Sequence, residues 1–464
     1  LLERCYSLKQ TSLASIELMV DIYQKLSLTE EGIFYTKLLI GHKHKLAANY
    51  FNLGYLYLEG KKDHKLALKY YKESYKHSPT ITTATHIANL YKHQGEHKKA
   101  IATAYRALCK EPQNTALQQV IGTSLKMLNR VEESIYYFDK LTKGDPSPAV
   151  GHNLAYLNLL LGNYGEGWRH QEHRLGFEAL QEKTSHFDAH KRYKTQALQG
   201  KIVAIHFEQG FGDTLQFARF LPLLQAKKPK EVIVFLQKEL MTLLEASFPS
   251  VTFICHTFKE AIQMPQYDYW MPFMSMPLAL GITALDVPSQ APYLQPKPKK
   301  LPLTVDKKKL NIAIAWESNR ISDTHGERSC LLSDMMNLFA LTNTQFYSLQ
   351  VGEGVSEIKH LRLENKIIDT SSIIQDFNDT ALIINKMDLV ISIDTATAHL
   401  AGALGKECLL LTPYNPSWRW NLYTKTSIWY SSMTIFRQRK GCSYKELVDE
   451  RVVSVVKKRV AKSL

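Results

Sequence analysis

A stride of 34 residues runs through the first part of the chain. Gly54, Ala88 and Gly122 stand 34 positions apart, and Pro79, Pro112 and Pro146 close the successive units. Tyr91 lies four residues before Gly95, and Leu125 four before Asn129. Between these points, residues 66–71, 100–105 and 134–138 carry helical periods in which a small residue admits a neighbouring helix and an aromatic fills the gap. A unit this short cannot bury its own apolar face, so units must stack on one another into a quasi-one-dimensional array.

Helical hairpins of this period resemble the tetratricopeptide repeat. Three good units cover about residues 47–148. A shortened fourth, around Asn153, residues 161–164 and Trp168, reads as an exit cap. Residues 10–46 are helical in pattern but too degenerate to score. The resemblance implies a groove that holds an extended protein or peptide segment, and support of the next domain is the alternative use. His93 and His97 are four apart, as metal ligands on a helix would be. Gly95 lies between them at a hairpin turn, so both are expected as surface histidines.

At 464 residues the chain exceeds one ordinary core, so two or three domains are expected. Hydrophobic content of 45% and charged content of 22% are those of a globular protein. No run approaches the ~20 apolar residues that span a bilayer. The first five residues lack a secretory signal and an initiator Met, which leaves the natural start open. Six cysteines lie far apart without a C-x-x-C pair, which suits a reducing, cytoplasmic compartment and argues against a metal site. The net charge of +14 asks for an anionic partner. No nucleic-acid-binding signature accompanies it, and the basic runs 297–300, 307–309 and 457–459 read as solvated linker and terminal helix.

From about residue 200 the pattern changes to alternating strand and helix. Strands are expected at 201–207, 231–236, 251–255 and 267–271, with helices at 214–225 and 238–246. The proline-lysine segment 296–302 reads as a linker. A second series follows at 310–316, 345–350, 367–369 and 389–394, and 408–412 closes the core strands. Such alternation predicts parallel βαβ units in two open sheets, with ligands at the carboxyl ends of the strands.

Two strand ends attract attention. Asp394, Thr395 and Thr397 open a helix behind a buried strand, where backbone amides and the positive end of the dipole suit a diphosphate. The alternative is that Asp394 or Thr395 caps the helix. Earlier, Gln209, Gly210, Gly212 and Asp213 follow the first strand. The glycines permit a tight turn and close approach to a ligand, and Asp213 is readable as a cap as well as a site residue.

Residues 388–406 resemble bacterial glycosyltransferases of the heptosyltransferase-like group (glycosyltransferase family 9), closest to the branch with tetratricopeptide repeats. Residues 208–217, Trp168-Arg169, 413–420, 429–430 and 436–438 fit the same branch, so the resemblance covers nearly the whole chain. It implies a GT-B fold, a nucleoside-diphosphate-sugar donor, no metal and no further cofactor, and inversion at the anomeric carbon. Carried across, Asp394, Thr395 and His399 match the donor-diphosphate motif, a buried histidine being the other reading of His399. Asp213 matches the proposed catalytic base. Ser318, Asn319 and Arg328 match a loop that contacts donor phosphate. Gln350, Tyr414 and Asn415 are candidates for base or ribose contacts. Glu317 departs from the pattern, since relatives tend to have Gly or Ala there. Trp418, Arg419 and Trp420 are candidates for stacking or for an interface.

The expected fold class is therefore α plus α/β. A tetratricopeptide-like solenoid with its exit cap (1–180) precedes two Rossmann-like lobes, acceptor-side (181–300) and nucleotide-sugar-side (301–440). A final helix (441–464) braces the first lobe. The expected activity is metal-independent glycosyl transfer to a hydroxyl, with a protein held by the repeats as acceptor. A catalytically inactive repeat scaffold is the alternative. A dinucleotide dehydrogenase is disfavoured, since no Gly-x-Gly-x-x-Gly follows the first strand.

Overall fold

The computed structural model describes residues 12–142, 147–257, 263–283, 286–288, 291–318 and 329–463. The chain divides into two compact units, 1–146 and 147–464.

The first unit is an array of helical hairpins. Helices Leu46–Tyr55 and His64–His77, Ile81–His93 and His97–Leu108, and Thr115–Met127 and Val131–Lys140 form the three units that the stride predicts. The region too degenerate to score, 10–46, folds the same way, as Leu13–Lys25 and Thr29–Gly41. The small positions do the work expected of them. A Cβ on Gly54 would meet the Tyr71 ring at 2.8 Å, and one on Gly122 would meet Phe138 at 3.0 Å. Ala88 instead shares an apolar cluster with Ala104, both fully buried. Gly95 sits at φ +74, the left-handed conformation that ends the preceding helix. His93 is exposed and His97 half-buried.

The boundary of the array falls at residue 146 rather than near 180. The hairpin Pro148–Leu161 and Tyr164–Gln171, read from sequence as an exit cap, belongs to the second unit. Trp168, 1% exposed, shows why. Its ring packs against Phe217 at 6.1 Å, Trp418 at 5.6 Å and Trp429 at 6.3 Å. Tyr156 donates to the Pro416 carbonyl at 2.6 Å. This hairpin is cemented by aromatics drawn from both parts of the α/β region.

Among the described residues, that region holds two sheets whose named strands all pair in parallel. The first contains β1 (Ile202–His206), β2 (Glu231–Leu236), β3 (Thr252–Cys255) and β4 (Tyr269–Pro272), in the order β3-β2-β1-β4. The second contains β5 (Leu310–Ala315), β6 (Thr344–Ser348), β7 (Ile367–Asp369), β8 (Leu389–Ile393), β9 (Cys408–Thr412) and β10 (Met433–Arg437), in the order β10-β9-β8-β5-β6-β7. Strand order reverses between β1 and β4 and between β5 and β8, the positions where open α/β sheets leave a crevice at the carboxyl ends. One device recurs in both sheets. Asp268, just before β4, accepts the Ile202 N–H at 2.8 Å, and Asp388, just before β8, accepts the Asn311 N–H at 2.8 Å.

Three expectations are corrected here. Cys408–Thr412 does not close the second sheet, because β10 adds a sixth strand beyond it. The linker is more than solvated chain. Asn378 bonds the Lys297 backbone in both directions, and Lys299 pairs with the buried Asp379 at 2.9 Å. The final helical run, Tyr444 to Ser463 with a π-turn at Val448–Val452, does not brace the first lobe. Its Tyr444, Leu447, Val448, Val452 and Val456 complete the core beneath β5, β8 and β9. An amphipathic helix docks where apolar area is uncovered, and the second sheet offers it.

The cysteines at 109, 255, 330, 408 and 442 are all free thiols. No helix among the described residues is long and apolar enough to cross a membrane.

Candidate functional site

The second sheet builds one half of the site. All five residues of β8 are buried, and Asp394 follows at 4% exposure. The helix Ala396–Ala403 begins immediately, with Thr395 as its extended N-cap residue. Thr395 makes no side-chain capping bond; its hydroxyl lies 3.3 Å from that of Ser392. The capping alternative is therefore not what Thr395 does. Thr395, Ala396 and Thr397 are half-buried at the carboxyl end of the sheet. A helix start leaves its first amides without an intrahelical acceptor, and that end of the dipole favours anions.

His399 lies one turn on and is 4% exposed. Its Nδ1 is 2.9 Å from the Tyr430 hydroxyl, its Nε2 is 3.9 Å from Asp394, and its ring stacks on Trp420 at 5.2 Å. Burial raises the Tyr430 phenol well above its ordinary range, so Tyr430 keeps its proton. His399 is thus a buried histidine at the floor of this strand end.

The first sheet supplies the facing half. Behind β1, Glu208 is 3% exposed and receives two bonds from Arg174 at 2.8 Å, plus the Met274 N–H at 3.0 Å. This buried ion pair anchors the next residues. Gln209 and Gly210 are exposed, and the Gln209 carbonyl accepts from Gln237 at 3.2 Å. The helix starts at Phe211, three residues before the expected Thr214. Asp213 is consequently its third residue and not its N-cap, and its Oδ2 accepts the Gly210 N–H at 3.1 Å. Its Oδ1 accepts from the Arg419 guanidinium. Arg419 also donates to Gln216 at 2.6 Å and lies 4.4 Å over the Trp418 ring. Gly210 has an ordinary φ of −73. Gly212 needs to be glycine for another reason: a Cβ there would meet His399 Cδ2 at 2.9 Å and Ala396 Cα at 3.5 Å. The two strand-end segments singled out in sequence thus meet in space.

Other candidates fall elsewhere. Ser318 donates its N–H to the Ser329 hydroxyl at 3.2 Å. Asn319 and Arg328 lie outside the described residues. Gln350 Oε1 accepts the Trp316 and Glu317 N–H groups at 3.3 and 3.1 Å, so it braces the loop after β5. The Glu317 carboxylate leans against Gly354. Tyr414 and Asn415 are half-buried in the loop after β9. Trp418 and Trp420 are 6% and 0% exposed, which removes both as stacking platforms for a sugar. A surface groove of about 580 Å³ beside Ala340, Asp449 and Lys457 includes none of the candidate residues. Sequence reasoning missed the Arg174–Glu208 pair, the hold of Arg419 on Asp213, and a cluster of His186, His206 and His256. None has a local spacing that could have revealed it.

No family model matches the chain. Protein FlbA of Caulobacter vibrioides is similar, 25% identical over 416 residues that cover 76% of this chain and 69% of FlbA. Among solved structures, YrrB, described as a TPR protein with an unusual peptide-binding site, has a TM-score of 0.34 and 12% identity, covering 38% of this chain and 90% of YrrB. The type IV pilus biogenesis factor PilW has a TM-score of 0.33 and 16% identity, covering 40% of this chain and 84% of PilW. The MamA RS-1 ArsTM double mutant has a TM-score of 0.33 and 13% identity over 35% of this chain and 91% of its own.

Proposed function

We propose that the second unit is a GT-B-type glycosyltransferase, moving a sugar from a nucleoside-diphosphate donor to a hydroxyl acceptor, with a protein segment held by the repeats as the acceptor. The observation that carries this reading is the juxtaposition of the helix start at Thr395, which its own hydroxyl does not cap, with the Gly210–Asp213 turn. The helix start would hold the diphosphate through backbone amides and the Thr395 and Thr397 hydroxyls. Asp213 would accept the acceptor's proton as its oxygen attacks the anomeric carbon, and the diphosphate would leave with the bonding pair. Arg419 holds that carboxylate in place and yields one oxygen when the acceptor arrives.

The Asp213–Arg419 ion pair also favours a second reading, in which the sheets no longer catalyse and the chain is a repeat scaffold. Calorimetry with UDP, GDP and their sugars separates the two, followed by donor turnover in Asp213→Asn. The transferase reading expects binding that Thr395→Val and Thr397→Val weaken, and turnover reduced about 10²–10⁴-fold by Asp213→Asn with binding intact. Absence of binding by any nucleoside diphosphate sugar would sink it.

A further inference from the structure

Three histidines distant in sequence converge at the carboxyl end of the four-stranded sheet. His206 ends β1, His256 follows β3, and His186 lies in the segment that leads into β1. One nitrogen from each falls within 4.8 Å of the others. The ring centroids are 4.9 Å apart for His186 and His256, 5.3 Å for His186 and His206, and 5.7 Å for His206 and His256. His206 and His256 are 0% and 4% exposed, and His186 is half-buried. Phe187, Phe207 and Phe235 line the walls.

Two features make this more than aromatic packing. The Nε2 of His186 is buried and has no hydrogen-bond partner among the described residues. The three side chains also come from separate segments, so a common ligand would tie the chain before β1 to the sheet edge. We propose that His186, His206 and His256 form a binding site for one divalent transition metal ion of borderline softness, of which zinc is the type.

Three imidazole nitrogens match the ligand preference of zinc, and imidazole also suits nickel and copper. Zn–N bonds of about 2.0–2.1 Å place ligand nitrogens about 3.4 Å apart. The nitrogens lie within 4.8 Å of one another, so binding draws the three rings closer together. Among the described residues the cluster holds no carboxylate, and the positive charge of Lys183 bears on His206. Lys183 donates to the Glu208 carbonyl at 3.2 Å, so it is held close and opposes the cation. The ion serves as a fastener of the segment behind the Gly210–Asp213 turn, outside the transfer chemistry proposed above, and the inference does not depend on that reading.

The test uses the full chain, stripped with chelator and titrated with zinc against a chromophoric competitor, and separately with cobalt(II). The expected result is one tight equivalent of zinc, intense visible bands of a low-coordinate cobalt site, and a zinc-dependent rise in melting temperature. His186→Ala, at a half-exposed position that tolerates truncation, is expected to weaken zinc at least about 30-fold and bleach the cobalt bands. Lys183→Gln is expected to tighten zinc several-fold, and His93→Ala to leave it unchanged. Zinc affinity equal in wild type and His186→Ala, or no stoichiometric zinc in the wild type, overturns the proposal. Circular dichroism of each apo variant separates ligand loss from misfolding.

Discussion

Gly212 lies against the imidazole of His399, close enough that a single added carbon would stand 2.9 Å from Cδ2. The two residues are carried by different sheets, and their contact is where the turn behind β1 meets the helix behind β8. Small size at Gly212 is what lets the two strand ends approach.

Gly212→Ala is therefore expected to destabilise the second unit by about 1–3 kcal/mol, because the obstacle is a buried ring held by Trp420 and Tyr430. Gly210→Ser is the matched control. Gly210 is the N-cap position, has an ordinary φ and would place a Cβ no closer than 3.9 Å to the nearest atom, Asp213 Oδ2. It is expected to change stability by less than about 0.5 kcal/mol. Urea unfolding of the two variants side by side decides the matter, and equal midpoints would refute the close-approach argument.

The Arg174–Glu208 pair has 3% and 1% side-chain exposure. Removing one partner leaves a buried charge uncompensated, so Arg174→Met is expected to cost about 3–5 kcal/mol. Arg174→Met combined with Glu208→Leu is expected to recover part of that loss. A double variant less stable than either single one would contradict the account.

Arg419 and Asp213 should be coupled energetically. A double-mutant cycle with Arg419→Ala and Asp213→Ala is expected to give an interaction energy of about 1–2 kcal/mol, above that of an exposed pair, since both side chains are mostly buried. A coupling of zero would mean that Arg419 does not hold the carboxylate.

In the first unit, burial pushes the Lys126 ammonium down to about 8. Its unfolded value is 10.5, so the folded chain binds fewer protons between these limits and stability gains as pH rises through them. Below about pH 8 the full cost of the buried charge is present. Lys126→Met is expected to stabilise by about 1–3 kcal/mol at pH 7, with the advantage shrinking as pH approaches 10. Urea unfolding of both proteins at the two pH values checks this, and a pH-independent difference would show that the charge is not the cause.

Much of the architecture was readable because its signals are local. The 34-residue stride found three hairpins, although residues 13–41 continue it with too few small residues to be scored. Of the ten strands among the described residues, nine were legible as short apolar runs, whereas β10 went unread beyond the loop that follows β9. Helix starts were less secure. The helix behind β1 begins at Phe211 because the Asp213 carboxylate reaches back to Gly210, a bond that composition does not announce.

Of the site, residue types and chain positions were legible and roles were not. His399 and Gln350 were read as ligand contacts, and in the fold His399 bonds Tyr430 while Gln350 bonds the backbone of the loop after β5. The final helix and the exit hairpin were assigned to the wrong neighbours, since amphipathicity says that a face is covered and not by what.

The amino-acid order alone determined the helical hairpins, the parallel strands and the positions of the strand ends, because periods of 3.6 and 2 and a helix start are written within a few residues. The tertiary structure alone decided that Gly212 touches His399, that Arg419 holds Asp213, and that His186, His206 and His256 share one pocket. Those contacts join residues up to about two hundred positions apart, and they exist only once the two sheets and the Trp168 hairpin have packed.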